Sequence, residues 1–145
     1  MAQVKVGPVE VIVCAFPEPE VDEAVIASLS RTLRSGAIAL LDLVLVNRDG
    51  QGAVHVRDLD DDLPPAWSEL VAGSRPLTLL SDGDVEIAAE SIGNSETALV
   101  AALEQRWAQR LTEAVHNSGG VVALHARIPH ETVVRAFEAD GVEAT

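Results

Sequence analysis

Five carboxylates fall within one short stretch of this 145-residue chain: Asp58, Asp60, Asp61, Asp62 and Glu69. Their spacing places Asp58, Asp60, Asp62 and Glu69 at the first, third, fifth and last ligand positions of a calcium loop. The sixth position fails, because it holds Leu63 where the sharp turn needs glycine. Pro64 and Pro65 then stiffen the backbone that would have to wrap the ion, so the stretch reads as a solvated acidic loop. The four histidines, His55, His116, His125 and His130, include no pair one helical turn apart as in a metalloprotease; only His125 and His130 are near each other in sequence. Cys14 is the only cysteine, which excludes an internal disulfide and a cysteine-based zinc site within one chain. It lies among Val13, Ala15 and Phe16 and reads as a small packing residue. There is no G-x-S-x-G elbow for a serine nucleophile and no glycine-rich phosphate loop. Neither a catalytic residue nor a cofactor is expected.

One grouping remains. Glu104 is followed by Arg106, Trp107 and Arg110, which puts a carboxylate and an aromatic anchor near the start of a helix. As a site it would be a carboxylate at a pocket or subunit contact, with Trp107 the kind of residue that dominates interfaces. As structure it is helix capping plus an apolar stripe of every fourth residue, and this second reading is the preferred one.

The elements that would hold these residues follow from periodicity. Val9 to Phe16 is a β-branched run stopped by Pro17, a strand. Val21, Val25, Ile26, Leu29 and Leu33 recur at helical spacing, with Asp22 and Glu23 at the N-terminal end and Gly36 after the last turn. Ala39 to Val46, the turn Asn47 to Gly52 and Ala53 to Val56 read as a hairpin. Arg57 to Leu80 is taken as a surface connection with one helical turn near Trp67, and Ser81 caps a helix running to about Ser91. Thr97 to Leu103 reads as a strand or as the start of one long helix; strand then helix is preferred, because Gly119, Gly120 and the run Val121 to Ile128 then close a β-α-β unit. Pro129 at the first helical position opens a last helix through Phe137.

The result is an α/β (α+β) chain, a ferredoxin-like two-layer sandwich of two β-α-β units with an added hairpin strand and a C-terminal helix, residues 1–145 forming a single domain. The first strands of the two units are expected at the centre of the sheet. Alternation puts Leu41, Leu43 and Leu45 on one face of the second strand and Leu40, Val44 and Val46, with Asp42 among them, on the other. Both faces are apolar, whereas a two-layer fold covers only one. A second copy of the protein would cover the other, which makes Leu40, Val44, Val46, Ile12 and Phe16, together with Glu104 and Trp107, the interface candidates.

Composition narrows the partners. A formal net charge of −13 opposes nucleic-acid phosphates and anionic membranes, and aromatic content is 3%, leaving only Phe16 to stack on a base from the sheet. The N-terminus has no signal-peptide pattern, and the longest apolar stretch, Ala37 to Val46, is interrupted by Asp42 and is too short to span a membrane. A cytoplasmic homo-oligomer, with no nucleic-acid partner and no membrane insertion, is expected.

The run Gly7 to Glu10, Phe16-Pro17, Asn47 to Gly50, Leu80 to Asp82, Glu104 with Trp107-Ala108, Ala114-Val115, Gly119-Gly120 and Ile128-Pro129 together resemble an actinobacterial family of unknown function. That family is similar to a broader stress-associated membrane-protein group, from which this chain departs in lacking a glycine-rich membrane segment. The resemblance covers nearly the whole chain and implies no assigned activity, substrate or cofactor. The functional expectation is therefore a non-enzymatic, self-associating protein with a place in stress physiology; the alternative is a small-molecule or metal sensor with its ligand at the sheet or subunit interface.

Overall fold

A computed structural model describes residues 6–58, 64–68, 70 and 78–141. The chain separates into two compact units, residues 1–111 and 112–145.

The first unit is a mixed α+β fold built on a four-stranded antiparallel sheet. Strands β1 (Val9–Phe16), β2 (Ile38–Arg48), β3 (Val54–Asp58) and β4 (Thr97–Gln105) lie in the order β1-β4-β2-β3. Helix α1 (Glu23–Arg34) joins β1 to β2, and these two strands, each antiparallel to β4, run parallel to one another with β4 between them. A sheet centre at β1 was expected; β1 instead forms one edge and the hairpin strand β3 the other. Helix α1 starts where its cap demands, the Asp22 carboxylate accepting the Ala24 amide at 2.8 Å. Helix α2 (Asp82–Glu90) begins with a capping box in which Ser81 Oγ accepts the Asp84 amide while Asp84 accepts that of Ser81.

Both faces of the sheet are covered within the chain, which corrects the two-layer expectation. On one face, Ile26, Leu29 and Leu33 of α1 meet Leu40, Leu43, Leu99 and Ala101. Trp67, in the 3-10 turn Pro65–Trp67, and Leu70 close that layer, so this part of the connection is core; Trp67 is only 2% exposed. On the other face, Val85, Ala88 and Ala89 of α2, with Ile92, meet Val44, Val46, Ala98 and Val100. Burial of Leu43, Val46 and Val100 stabilises the fold by about 1.5–3 kcal/mol each. The small side chains of α2 allow it to lie close on the sheet.

The division of β2 between the layers also differs from simple alternation. Leu40 pairs with Leu103 and Asp42 with Ala102, so Leu41 is the extra residue of a β-bulge. The bulge moves Leu40 onto the face of Leu43 and Leu45, leaving Asp42, Val44 and Val46 opposite α2.

Helix α3 (Arg106–Asn117) follows β4 without a break, so strand then helix is the arrangement adopted. Its end is a Schellman motif: Gly119 takes φ +86°, its amide donates to His116, and the Gly120 amide donates to Val115 at 2.9 Å. In the second unit, residues 118–129 join no strand, which corrects the expected strand Val121 to Ile128 and leaves the second β-α-β unit without its closing strand. Helix α4 (His130–Ala139) then begins one residue later than expected, with Pro129 as its N-cap rather than its first helical residue.

Candidate functional site

The interface candidates separate into buried and exposed sets. Leu40, Val44 and Val46 lie inside the chain's own two apolar layers, sealed by α1 and α2, which removes them from any subunit contact. Phe16 is half-buried against the α1 layer. Ile12 remains 47% exposed, flanked by exposed Val9 and Val11.

These three residues lie on an edge strand whose polar groups have a defined direction. The Gln105 amide donates to the Pro8 carbonyl at 2.7 Å, which fixes Pro8 and the even-numbered residues after it as those hydrogen-bonded to β4. The amides and carbonyls of Val9, Val11, Val13 and Ala15 therefore point outward along the open edge. Side chains alternate as well, Cys14 and Phe16 packing in the α1 layer and Val13 in the α2 layer.

Glu104 serves the start of this strand. Its Oε2 accepts the Gly7 amide at 2.8 Å, and Gly7 lies so close to the Gln105 carbonyl that no Cβ fits there. The carboxylate ties the lead-in of β1 to the end of β4, a structural role other than the helix capping expected from sequence. Trp107 is 51% exposed at the start of α3; its amide donates to Ala37 and its Nε1–H to Gln105 Oε1 at 3.0 Å. Leu111, one turn later, is also exposed.

Two polar groups that the sequence did not single out organise the opposite layer. Asp42 is buried; its Oδ1 accepts the Leu43 amide, and its Oδ2 accepts those of Leu79 and Leu80 at 3.0 Å each. Arg48 donates from Nε to the Ala89 and Ile92 carbonyls and from Nη1 to Gly52, closing the C-terminal end of α2 where a cation is favoured. A charged residue inside an otherwise apolar strand was the available signal for Asp42.

For metal and ligand chemistry the geometry is sparse. Asp60, Asp61, Asp62 and Glu69 lie outside the described residues, and among those described no group of three histidine, cysteine or acidic residues can hold an ion. His55 Nε2 is 3.1 Å from Asp49 Oδ2, in a turn where Asp49 Oδ1 also accepts the Gln51 and Ala53 amides. The His55 contact first, then those two amides, hold the Asp49 carboxyl below its ordinary value. A cleft of about 220 Å³ beside α1 is lined by Glu23, Ile26, Ser30, Arg34 and Ala66, and is smaller than the roughly 300 Å³ at which small-molecule sites begin. Among the described residues no helix is long and apolar enough to cross a membrane.

No curated protein and no solved structure matches the chain. Residues 5–143 match one family model, and on that coverage the chain belongs to DUF6325, a family of unknown function.

Proposed function

We propose that this chain is a non-enzymatic protein that acts by self-association, with the outer edge of β1 as its contact surface. The observation that carries the reading is the exposure of Val9, Val11 and Ile12 on an edge strand whose outward amides and carbonyls face no further strand among the described residues. Natural sheets blunt such edges with charge or cover them, and β1 carries only Glu10. The contact runs along a strand edge rather than over a sheet face, since both faces are filled. Trp107 and Leu111 supply further exposed apolar surface.

On this reading residues 1–145 act as one functional domain in the cytoplasm. A role in stress physiology and an actinobacterial setting rest on the sequence resemblance alone. The sensor alternative rests on the cleft beside α1, whose small volume ranks it second. Sedimentation velocity over a wide concentration range separates the readings: the protein is expected as a dimer or larger, and Ile12→Lys as a monomer. A wild-type monomer at every concentration overturns the proposal.

A further inference from the structure

Four of the chain's ten basic residues, Arg31, Arg34, Arg106 and Arg110, gather at one end of the sheet in the first unit. Arg31 and Arg34 stand in the last turn of α1, Arg106 and Arg110 in the first two turns of α3. The two helices come together here. The Trp107 amide donates to the Ala37 carbonyl at 3.2 Å, and the Arg110 guanidinium lies 3.6 Å from where a Cβ on Gly36 would stand, which sets it against the turn that follows Arg34. All four arginines are exposed. Among the described residues none of their guanidinium groups is ion-paired or hydrogen-bonded, in a chain that carries 23 acidic residues.

Local stability accounts for only part of this cluster. Cations in the last turn of α1 suit the helix dipole. Arg106 opens α3, where a cation opposes the dipole and a carboxylate would be favoured, yet that first turn holds no acidic residue. A local rule broken with no compensating partner among the described residues is the mark of a residue placed for function. Apolar surface adjoins the cations. With 3.6 residues per turn, Arg106, Arg110, Trp107 and Leu111 share one sector of roughly 140° on α3, away from buried Ala108, and both Trp107 and Leu111 are exposed.

We propose that this end of the first unit is a docking surface for a short acidic segment of a partner protein, its carboxylates on the four arginines and an apolar side chain on Trp107 and Leu111. Arginine and tryptophan are the residues that dominate protein contacts, and a planar guanidinium holds a carboxylate through two parallel hydrogen bonds. The arginines lie open on two helices instead of converging on one point, which suits a row of carboxylates and not a single phosphate group. Net charge decides against broad polyanions. At 0.15 M salt the screening length is about 8 Å, so a short segment laid on the cluster feels the arginines and little else. A membrane or a nucleic-acid duplex would reach past the cluster to the rest of a surface whose formal net charge is −13.

Fluorescence anisotropy of a labelled peptide of paired glutamates and leucines, titrated with the full chain at 0.15 M salt, tests the surface. Saturable binding is expected. Reversing Arg106→Glu with Arg110→Glu, or Arg31→Glu with Arg34→Glu, should weaken it by about tenfold or more, since each reversal replaces attraction by repulsion at two positions. Arg57→Glu, which reverses an exposed charge on β3, should leave it within about twofold. The two indoles give a reading that needs no substitution: the peptide is expected to shift the Nε1–H resonance of exposed Trp107 and to leave that of buried Trp67 in place. Absence of binding, an equal loss in Arg57→Glu, or an unmoved Trp107 resonance at saturation overturns the docking surface. Tighter binding of phosphatidylserine vesicles or duplex DNA than of the peptide, under the same conditions, overturns the acidic segment as its occupant.

Discussion

The Asp42 carboxylate accepts the Leu80 amide at 3.0 Å, joining the middle of β2 to the segment that leads into α2. The carboxylate is buried and also accepts the amides of Leu43 and Leu79. Asp42→Ala would leave three amides without this acceptor, and hydrogen bonds to a charged group are worth about 1.5–3 kcal/mol each net, with incomplete additivity. A loss of about 3 kcal/mol is expected in urea unfolding, with Asp42→Asn losing less because one carbonyl acceptor remains. Loss of the α2 layer would expose Val44 and Val46, so Asp42→Ala is also expected to bind a hydrophobic dye more strongly than wild type.

The tie between Glu104 and Gly7 predicts a stability effect separate from assembly. Glu104→Ala removes the acceptor of the Gly7 amide, and Gly7→Ala forces a side chain against the Gln105 carbonyl. Each is expected to cost about 1–3 kcal/mol of unfolding free energy. Glu104→Gln, which keeps an acceptor oxygen, is expected to retain most of the stability and the full dimer affinity. A large loss of association in Glu104→Gln with unchanged stability would assign this carboxylate to the subunit contact instead.

Acid titration reports on the β2-β3 turn. Because the Asp49 carboxyl is held below its ordinary value, its contribution to stability is present above the unfolded value of about 4 and is lost as pH falls through the lower folded value. An NMR titration of the Asp49 carboxyl is expected to show a midpoint below that of an unfolded peptide. In His55→Ala the midpoint should rise toward the ordinary value without reaching it, since the Gln51 and Ala53 amides still donate. An unchanged midpoint would show that His55 does not stabilise the carboxylate.

Charge predicts the salt dependence of assembly. Two copies, each of formal net charge −13, repel as they approach, and the screening length shortens from roughly 30 Å at 0.01 M salt to about 8 Å at 0.15 M. Dimer affinity is therefore expected to rise several-fold over that range, as measured by sedimentation equilibrium. A fall in affinity with salt would indicate a contact held mainly by charge pairs rather than by apolar burial and strand pairing.

Much of the local structure was legible because its signals are local. Val25, Ile26, Leu29 and Leu33 gave α1, Ser81 with Asp84 marked α2, and the turn around Asp49 set the hairpin. The two-layer reading failed at two places where the determinant is tertiary. Leu40 and Leu41 look alike, so nothing in the sequence marks the bulge that exchanges their faces. Helix α2 was identified without a face, since Val85, Ala88 and Ala89 are too small and too few to announce a second apolar layer. Trp67 was placed in a surface connection because its prolines and charged neighbours outweighed one aromatic, yet that aromatic closes the α1 layer. Of the candidate contact residues, Ile12 and Trp107 lie exposed, because exposure depends on strand order, which alternation cannot give.

Amide hydrogen exchange along β1 tests the account most directly. If the outer edge of this strand is covered by a second copy, the amides of Val9, Val11 and Val13 are protected in concentrated protein and become fast-exchanging on dilution below the dissociation constant, while those of Ile12 and Cys14, bonded to β4, stay slow throughout. Fast exchange at Val9, Val11 and Val13 at every concentration would contradict it.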